Sequence, residues 1–246
     1  MTHCPSACMR ALRAALGTAG LALACLLPAQ AAESSSELSA AEQIVFNGPH
    51  LQNVRPPQSL HYRFQKSGPL EPGFEDEVQL ALRPGPKGGC CSASGRFLSG
   101  ERQLSLPEIE DARSNPVILY FLEHDVREMQ RRTKGQSSYF RKRIRLAMVE
   151  RASVADTVVR WGGAELPARE VSLTPYADDP LRARFERFAG KEYRFVLAPG
   201  VPGGVYQIRT RVPGARPADP PALEETMTLA EPGNGRPAAS TQGNAR

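Results

Sequence analysis

Long apolar runs are scarce in this sequence. Beyond Ala14 to Leu27, no stretch approaches the roughly 18 apolar residues that a membrane-spanning helix needs, which excludes a helical membrane bundle. Histidine is limited to four residues and tryptophan to one. Of five cysteines, Cys4, Cys8 and Cys25 lie in the first 25 residues and only Cys90 and Cys91 follow. No spaced disulfide framework exists, and no local His or Cys completes a zinc-type ligand set around the pair, so neither a metal nor a cofactor is expected. Strong charge of one sign is absent as well. The 31 Lys and Arg against 26 Asp and Glu leave +5, too small an imbalance for a dedicated nucleic-acid binder. Glycine (21) and proline (22) exceed their usual share without reaching the quarter or so that marks low-complexity disorder.

What is present begins with a leader pattern. Arg10 and Arg13 precede the apolar stretch Ala14 to Leu27, and Ala29-Gln30-Ala31 is a small-x-small site of the kind signal peptidase accepts. The order of these regions implies export to the periplasm, with residues 1–31 as a signal peptide cleaved after Ala31 and no transmembrane segment afterwards. Cleavage removes two arginines and no acid, leaving +3. Cys25 offers an alternative, a lipid anchor, although Ala22 stands three residues before it where a larger aliphatic is usual.

Residues 32–56 read as a polar N-terminal tether, with disorder or a weak helix expected over Glu33 to Ala41, 57–230 as one domain and 231–246 as a disordered tail of Pro, Gly, Ala and Asn. Within the domain, Leu60, Tyr62 and Phe64 alternate with polar residues, as do Val78, Leu80 and Leu82, and period two denotes half-buried strands. A short strand is expected within Arg96 to Leu106. Asn115-Pro116 supplies a cap and a first-turn proline for a helix with Ile118, Leu122, Val126 and Met129 at helical spacing, its Leu122 expected against the sheet. Gly135 is placed to end it in the left-handed region. Ser137 or Ser138 would cap a second helix carrying Phe140, Ile144 and Met148 on one face. Strands follow at Val154 to Trp161 and Ala164 to Leu173 around a Gly162-Gly163 turn, then at Leu181 to Phe188, Lys191 to Leu197, Val205 to Val212 and Glu225 to Leu229. Strands, two helices and strands again make an α+β fold, a mostly antiparallel sheet with a two-helix hairpin packed on one face.

Asn115 to Met129, Ser138 to Arg145, Thr174 to Pro180 and Lys191 to Tyr206 resemble a family of exported bacterial proteins with no assigned activity. The resemblance covers residues 57–212 and implies no substrate or mechanism. Periplasmic lipoprotein carriers share strands with a helical lid, a likeness of pattern alone.

Catalytic signals are sparse. His124 and Glu128 share a helical face, as a base and its orienter would, but the second histidine of a zincin helix is missing. Together with Asp178 and Asp179 of the Tyr176 to Asp179 loop they make the best hydrolase alternative. Adjacent Cys90 and Cys91 can close a vicinal disulfide. The most unusual feature is cationic: from Arg127 to Arg151 nine Lys or Arg face only Glu128 and Glu150. Arg131, Arg132, Lys134, Arg141, Lys142 and Arg145 are therefore the expected contacts for an anionic lipid or cell-envelope polymer. The sequence reads as an exported envelope binding or structural module without a catalytic site.

Overall fold

The computed structural model describes residues 38–86 and 90–231. The leader with Cys25, and residues 232–246 of the tail, lie outside the described residues. In chain order the elements are α1 (Ala40–Val45), β1 (Gln58–Ser67), β2 (Phe74–Arg83), β3 (Cys91–Phe97), β4 (Leu104–Ser105), β5 (Ile109–Ala112), α2 (Val117–Thr133), α3 (Ser137–Glu150), β6 (Ser153–Trp161), β7 (Ala164–Leu173), β8 (Glu192–Leu197), β9 (Val205–Val212) and β10 (Leu223–Leu229).

All pairings are antiparallel, in the order β4-β3-β2-β1-β10-β9-β8-β7-β6, with β5 also on β3. The first strands therefore march outward from β1, and the α2–α3 hairpin carries the chain to the opposite end of the sheet. There β6 starts a return march that ends when β10 seals against β1, Tyr62 opposite Leu229 and Phe64 opposite Met227. This is the expected α+β architecture, an antiparallel sheet with the helical hairpin on one face. Burial alternates along β1 and β10 as a one-faced sheet requires. Phe64 and Phe97 of the sheet meet Phe121 of α2 with ring centroids 6.4 Å away from each.

Local chemistry explains the element ends. Asn115 is buried; its Oδ1 accepts the Val117 N–H at 3.1 Å, and its Nδ2 donates to Tyr62 Oη and the Gly203 carbonyl, both at 2.9 Å. One side chain thus caps α2 and ties it to β1. The β6–β7 turn uses Gly162 and Gly163 at φ of +56° and +80°, which only glycine adopts without strain.

Several expectations need correction. Of the two states expected for the start of the tether, its described part takes the helix, and that helix is not a loose one: Ser39 and Glu42 form a reciprocal capping box, and α1 with the following turn buries Ala41, Val45, Leu51 and Val54. Helix α2 ends with Lys134 in the left-handed conformation rather than Gly135; Gly135 is needed for room, since a Cβ there would lie 2.6 Å from the Phe140 ring. Leu181 to Phe188 is a pair of 3₁₀ turns, not a strand, because Asp179 Oδ1 takes the Leu181 N–H at 2.7 Å and turns the chain. Leu122 is half-buried on the outer side of the hairpin, while Phe121 beside it takes the sheet-facing position. Phe121→Ala should accordingly cost about 3 to 5 kcal/mol in denaturant unfolding, and Leu122→Ala less than half as much; equal losses would contradict this assignment of faces.

Candidate functional site

The two faces of the hairpin differ in chemistry. Toward the sheet, α2 presents charge at the places where a core would be apolar. Glu225 of β10 is buried, with the Nζ of Lys66 (β1) 3.8 Å from one carboxylate oxygen and the Nε2 of His124 3.7 Å from the other. Neither contact is short enough for a hydrogen bond, so both oxygens and His124 Nε2 lack hydrogen-bond partners. Burial alone would raise the Glu225 pKa, but His124 and the charges of Lys191 and Lys66 outweigh it and hold the group at about 2.

Lys66 also reaches Glu71 at 2.5 Å, and Glu71 and Glu128 together clamp Arg131 and Arg132 through contacts of 2.6 to 2.9 Å. Glu128 is likewise pushed up by burial, yet Arg131 and Arg132 bring it down to about 2. A second cluster lies further along the hairpin. Buried Asp125 pairs with Lys191 and accepts a 2.5 Å hydrogen bond from Tyr193, whose hydroxyl lies 3.1 Å from that of Tyr176. Asp179 accepts from Tyr139 at 2.6 Å and stands 2.7 Å from Arg143 Nε.

Away from the sheet, α1, α2, α3 and the β4–β5 segment enclose a groove of about 540 Å³. Its apolar lining includes Leu38, Ile109, Leu119, Leu122 and Ile144. Leu119 is 52% exposed and Leu38 45%, unusual for leucines that neighbour each other on one surface. Arg141 and Arg145 stand at the rim with Glu123 and Glu42.

The six cationic residues expected to offer an anionic surface are divided between these environments. Arg132 is drawn into the interior pairs, Arg131 is tied to the same two glutamates, and Arg141 is held bidentately by Glu123 at 2.9 to 3.1 Å. Lys134, Lys142 and Arg145 are exposed and make no ion pair among the described residues, and Arg145 alone of these three lines the groove. The hydrolase arrangement is not assembled: His124 faces Glu225, Glu128 faces the arginines, Asp178 pairs with Arg151 at 2.8 Å, and Asp179 serves Tyr139 and Arg143. No group of three or more His, Cys, Asp or Glu is arranged to hold a metal among the described residues. Cys90 and Cys91 are joined in a disulfide, Cys91 opening β3 in the core and Cys90 exposed.

Sequence reasoning missed Lys66, Asp125, Lys191 and Glu225. For Lys66 and Glu225 a signal existed: each continues a period-two apolar series, Leu60-Tyr62-Phe64-Lys66 and Leu223-Glu225-Met227-Leu229, at a position the pattern assigns to the core.

No protein-family model matches the chain, and no curated protein matches it. Among solved structures it is similar to the Mycobacterium tuberculosis lipoprotein LppX, at 7% identity and a TM-score of 0.31 over 71% of this chain and 86% of that chain. At that score the likeness carries no argument.

The interior carboxylates generate a pH dependence of defined sign. Glu128 and Glu225 titrate lower in the folded protein than in the unfolded chain, so their contribution is complete above the ordinary value of 4.5 and is lost as the pH falls toward 2. Urea unfolding between pH 6 and 2 should show stability falling below about pH 4.5. Glu128→Gln should flatten that fall by up to about 1.4 kcal/mol per pH unit; an unchanged slope would contradict the low pKa.

Proposed function

We propose that the protein is an exported, non-catalytic binding module of the cell envelope, and that its helical hairpin takes up an anionic amphiphile. The observation that carries this reading is the groove, in which Leu119 and Leu38 remain exposed beside Arg145, a cation without an ion pair among the described residues. A volume of about 540 Å³ lies within the roughly 300 to 1,000 Å³ common for small-molecule sites. Each methylene of an apolar chain buried there would contribute about 0.8 kcal/mol, and the head group would find Arg145 at the rim and Lys142 on the same helix. Arg141 is the reserve: its bidentate hold on Glu123 is half-exposed and can be exchanged for a ligand carboxylate or phosphate at little cost.

The basic, apolar and small-residue order of residues 10–31 supports the periplasmic setting, with lipid anchoring through Cys25 as the alternative. No helix among the described residues is long and apolar enough to cross a membrane. The locking of the hairpin's inner face supports the outer face as the working one, because the ion pairs beneath would have to be broken to expose the interior.

Binding of a fluorescent single-chain fatty acid below its micelle concentration tests the reading. The wild type should bind saturably, and Leu119→Asp should weaken binding at least tenfold. Arg145→Gln should weaken it about fivefold, the equivalent of about 1 kcal/mol per charge, an effect that salt erases. Equal affinity of wild type and Leu119→Asp, or equal uptake of an uncharged analogue, would remove the proposal.

A further inference from the structure

The face of the sheet turned away from the helices carries a charge pattern that sheet stability does not explain. Residues that pair across neighbouring strands form lateral rows. One row runs Glu192 (β8), Arg211 (β9), Glu224 (β10), alternating in sign as cross-strand neighbours should. The adjacent row runs Ser153 (β6), Ser172 (β7), Arg194 (β8), Arg209 (β9), Thr226 (β10). Here two arginines stand directly opposite one another, with Cβ atoms about 5 Å apart, a placement that repels.

Burial gives no reason for the pair, since the Arg194 and Arg209 side chains are 43% and 31% exposed. Nor do nearby acids fully satisfy the guanidinium groups. Glu170 lies 3.3 Å from Arg194 Nε, but Glu224 is 3.9 Å from Arg209 and Glu192 is 3.8 Å from Arg211, beyond hydrogen-bonding range. Around them the surface dips into a depression of about 250 Å³ that also takes in Arg151, Ser172 and Thr174. Arg151 enters from the end of α3 and is held by Asp178 at 2.8 Å. Four arginines, two serines and one threonine thus line one concavity, with one acid, Glu192, among them.

We propose that this depression is an oxyanion site for a phosphate-class group, seated between Arg194 and Arg209. A tetrahedral anion with several acceptor oxygens accepts paired N–H donors from two planar guanidiniums and converts their mutual repulsion into attraction. Thr174 supplies a hydroxyl donor, while the Ser172 hydroxyl beside Arg194 in the row donates to Glu170 at 3.2 Å. The site lies on the opposite face of the sheet from the hairpin and stands or falls independently of the groove. The phosphate belongs either to a free phosphate or phosphomonoester or to a phospholipid head group.

Thermal unfolding of the full protein in sodium phosphate against sodium chloride, at matched ionic strength and pH 7.5, reads the site. Phosphate should raise the wild-type Tm saturably. Arg194→Gln and Arg209→Gln should lose that rise, or need at least tenfold more phosphate for half the effect, while without phosphate they unfold at or above the wild-type temperature because the repulsion is gone. Arg145→Gln, at the groove, should keep the full response. A parallel co-sedimentation with phosphatidic acid vesicles, against phosphatidylcholine vesicles, separates the sources: vesicle binding that Arg194→Gln abolishes assigns the head group, and a response to dissolved phosphate alone assigns a soluble ligand. If neither dissolved phosphate nor phosphatidic acid distinguishes the wild type from the two arginine variants, or if the variants are less stable without phosphate, the site does not exist.

Discussion

A buried carboxylate whose oxygens find no hydrogen-bond donor sets the terms for the rest of this structure. Glu225 lies in the strand that seals the two halves of the sheet together, facing inward and 1% exposed. A buried charge without compensation costs several kcal/mol, so whatever covers β10 must bring cations. Lys66 comes from the neighbouring strand and His124 from α2, while Lys191 opposes the charge from the start of β8. The requirement propagates. Once His124 must face the sheet, so must Asp125 and Glu128 on the same side of the helix, and these recruit Lys191, Tyr193, Arg131 and Arg132 in turn.

The consequence is a hairpin whose orientation is specified by charge as well as by apolar packing. Networks of this kind add little net stability, since desolvation offsets most of the attraction, but rotating the helix by one residue would strand several charges at once. Specification of the inner face leaves the outer face free of structural duty. Leu119 can then stay exposed in a groove whose floor is formed by Leu122 and the buried Ile144, and Arg145 beside it is a cation the network did not consume.

The division explains what could be seen in advance. Alternation in β1 and β2, the strands β6, β7 and β9, the Asn115 cap, the Gly162-Gly163 turn and the face made by Phe140, Ile144 and Met148 were all legible, because each is a local pattern with a local cause. The closing pair β1–β10 was not, since nothing local states which strands meet across 160 residues of chain. Leu181 to Phe188 misled because Phe185 and Phe188 stand three apart, which suits a 3₁₀ turn, and the deciding contact is the Asp179 side chain with the Leu181 N–H. The cationic run was counted correctly, but its division depends on Glu71 and Glu123: Glu71 lies some 60 residues away from Arg131 and Arg132, and Glu123 pairs with an arginine on the other helix. Charge totals along a chain record supply; the fold decides what remains unspent.

The central claim is that the hairpin works with its outer face while the ion network keeps its inner face closed. Hydrogen exchange measured by mass spectrometry, with and without oleate below its micelle concentration, addresses both halves together. Exchange should slow in peptides covering 38–47 and 117–145 and remain unchanged in 58–67 and 223–229, the strands that hold Lys66 and Glu225. Altered exchange in those two strands, with the groove segments unaffected, would mean that the interior opens to the ligand and would contradict the account.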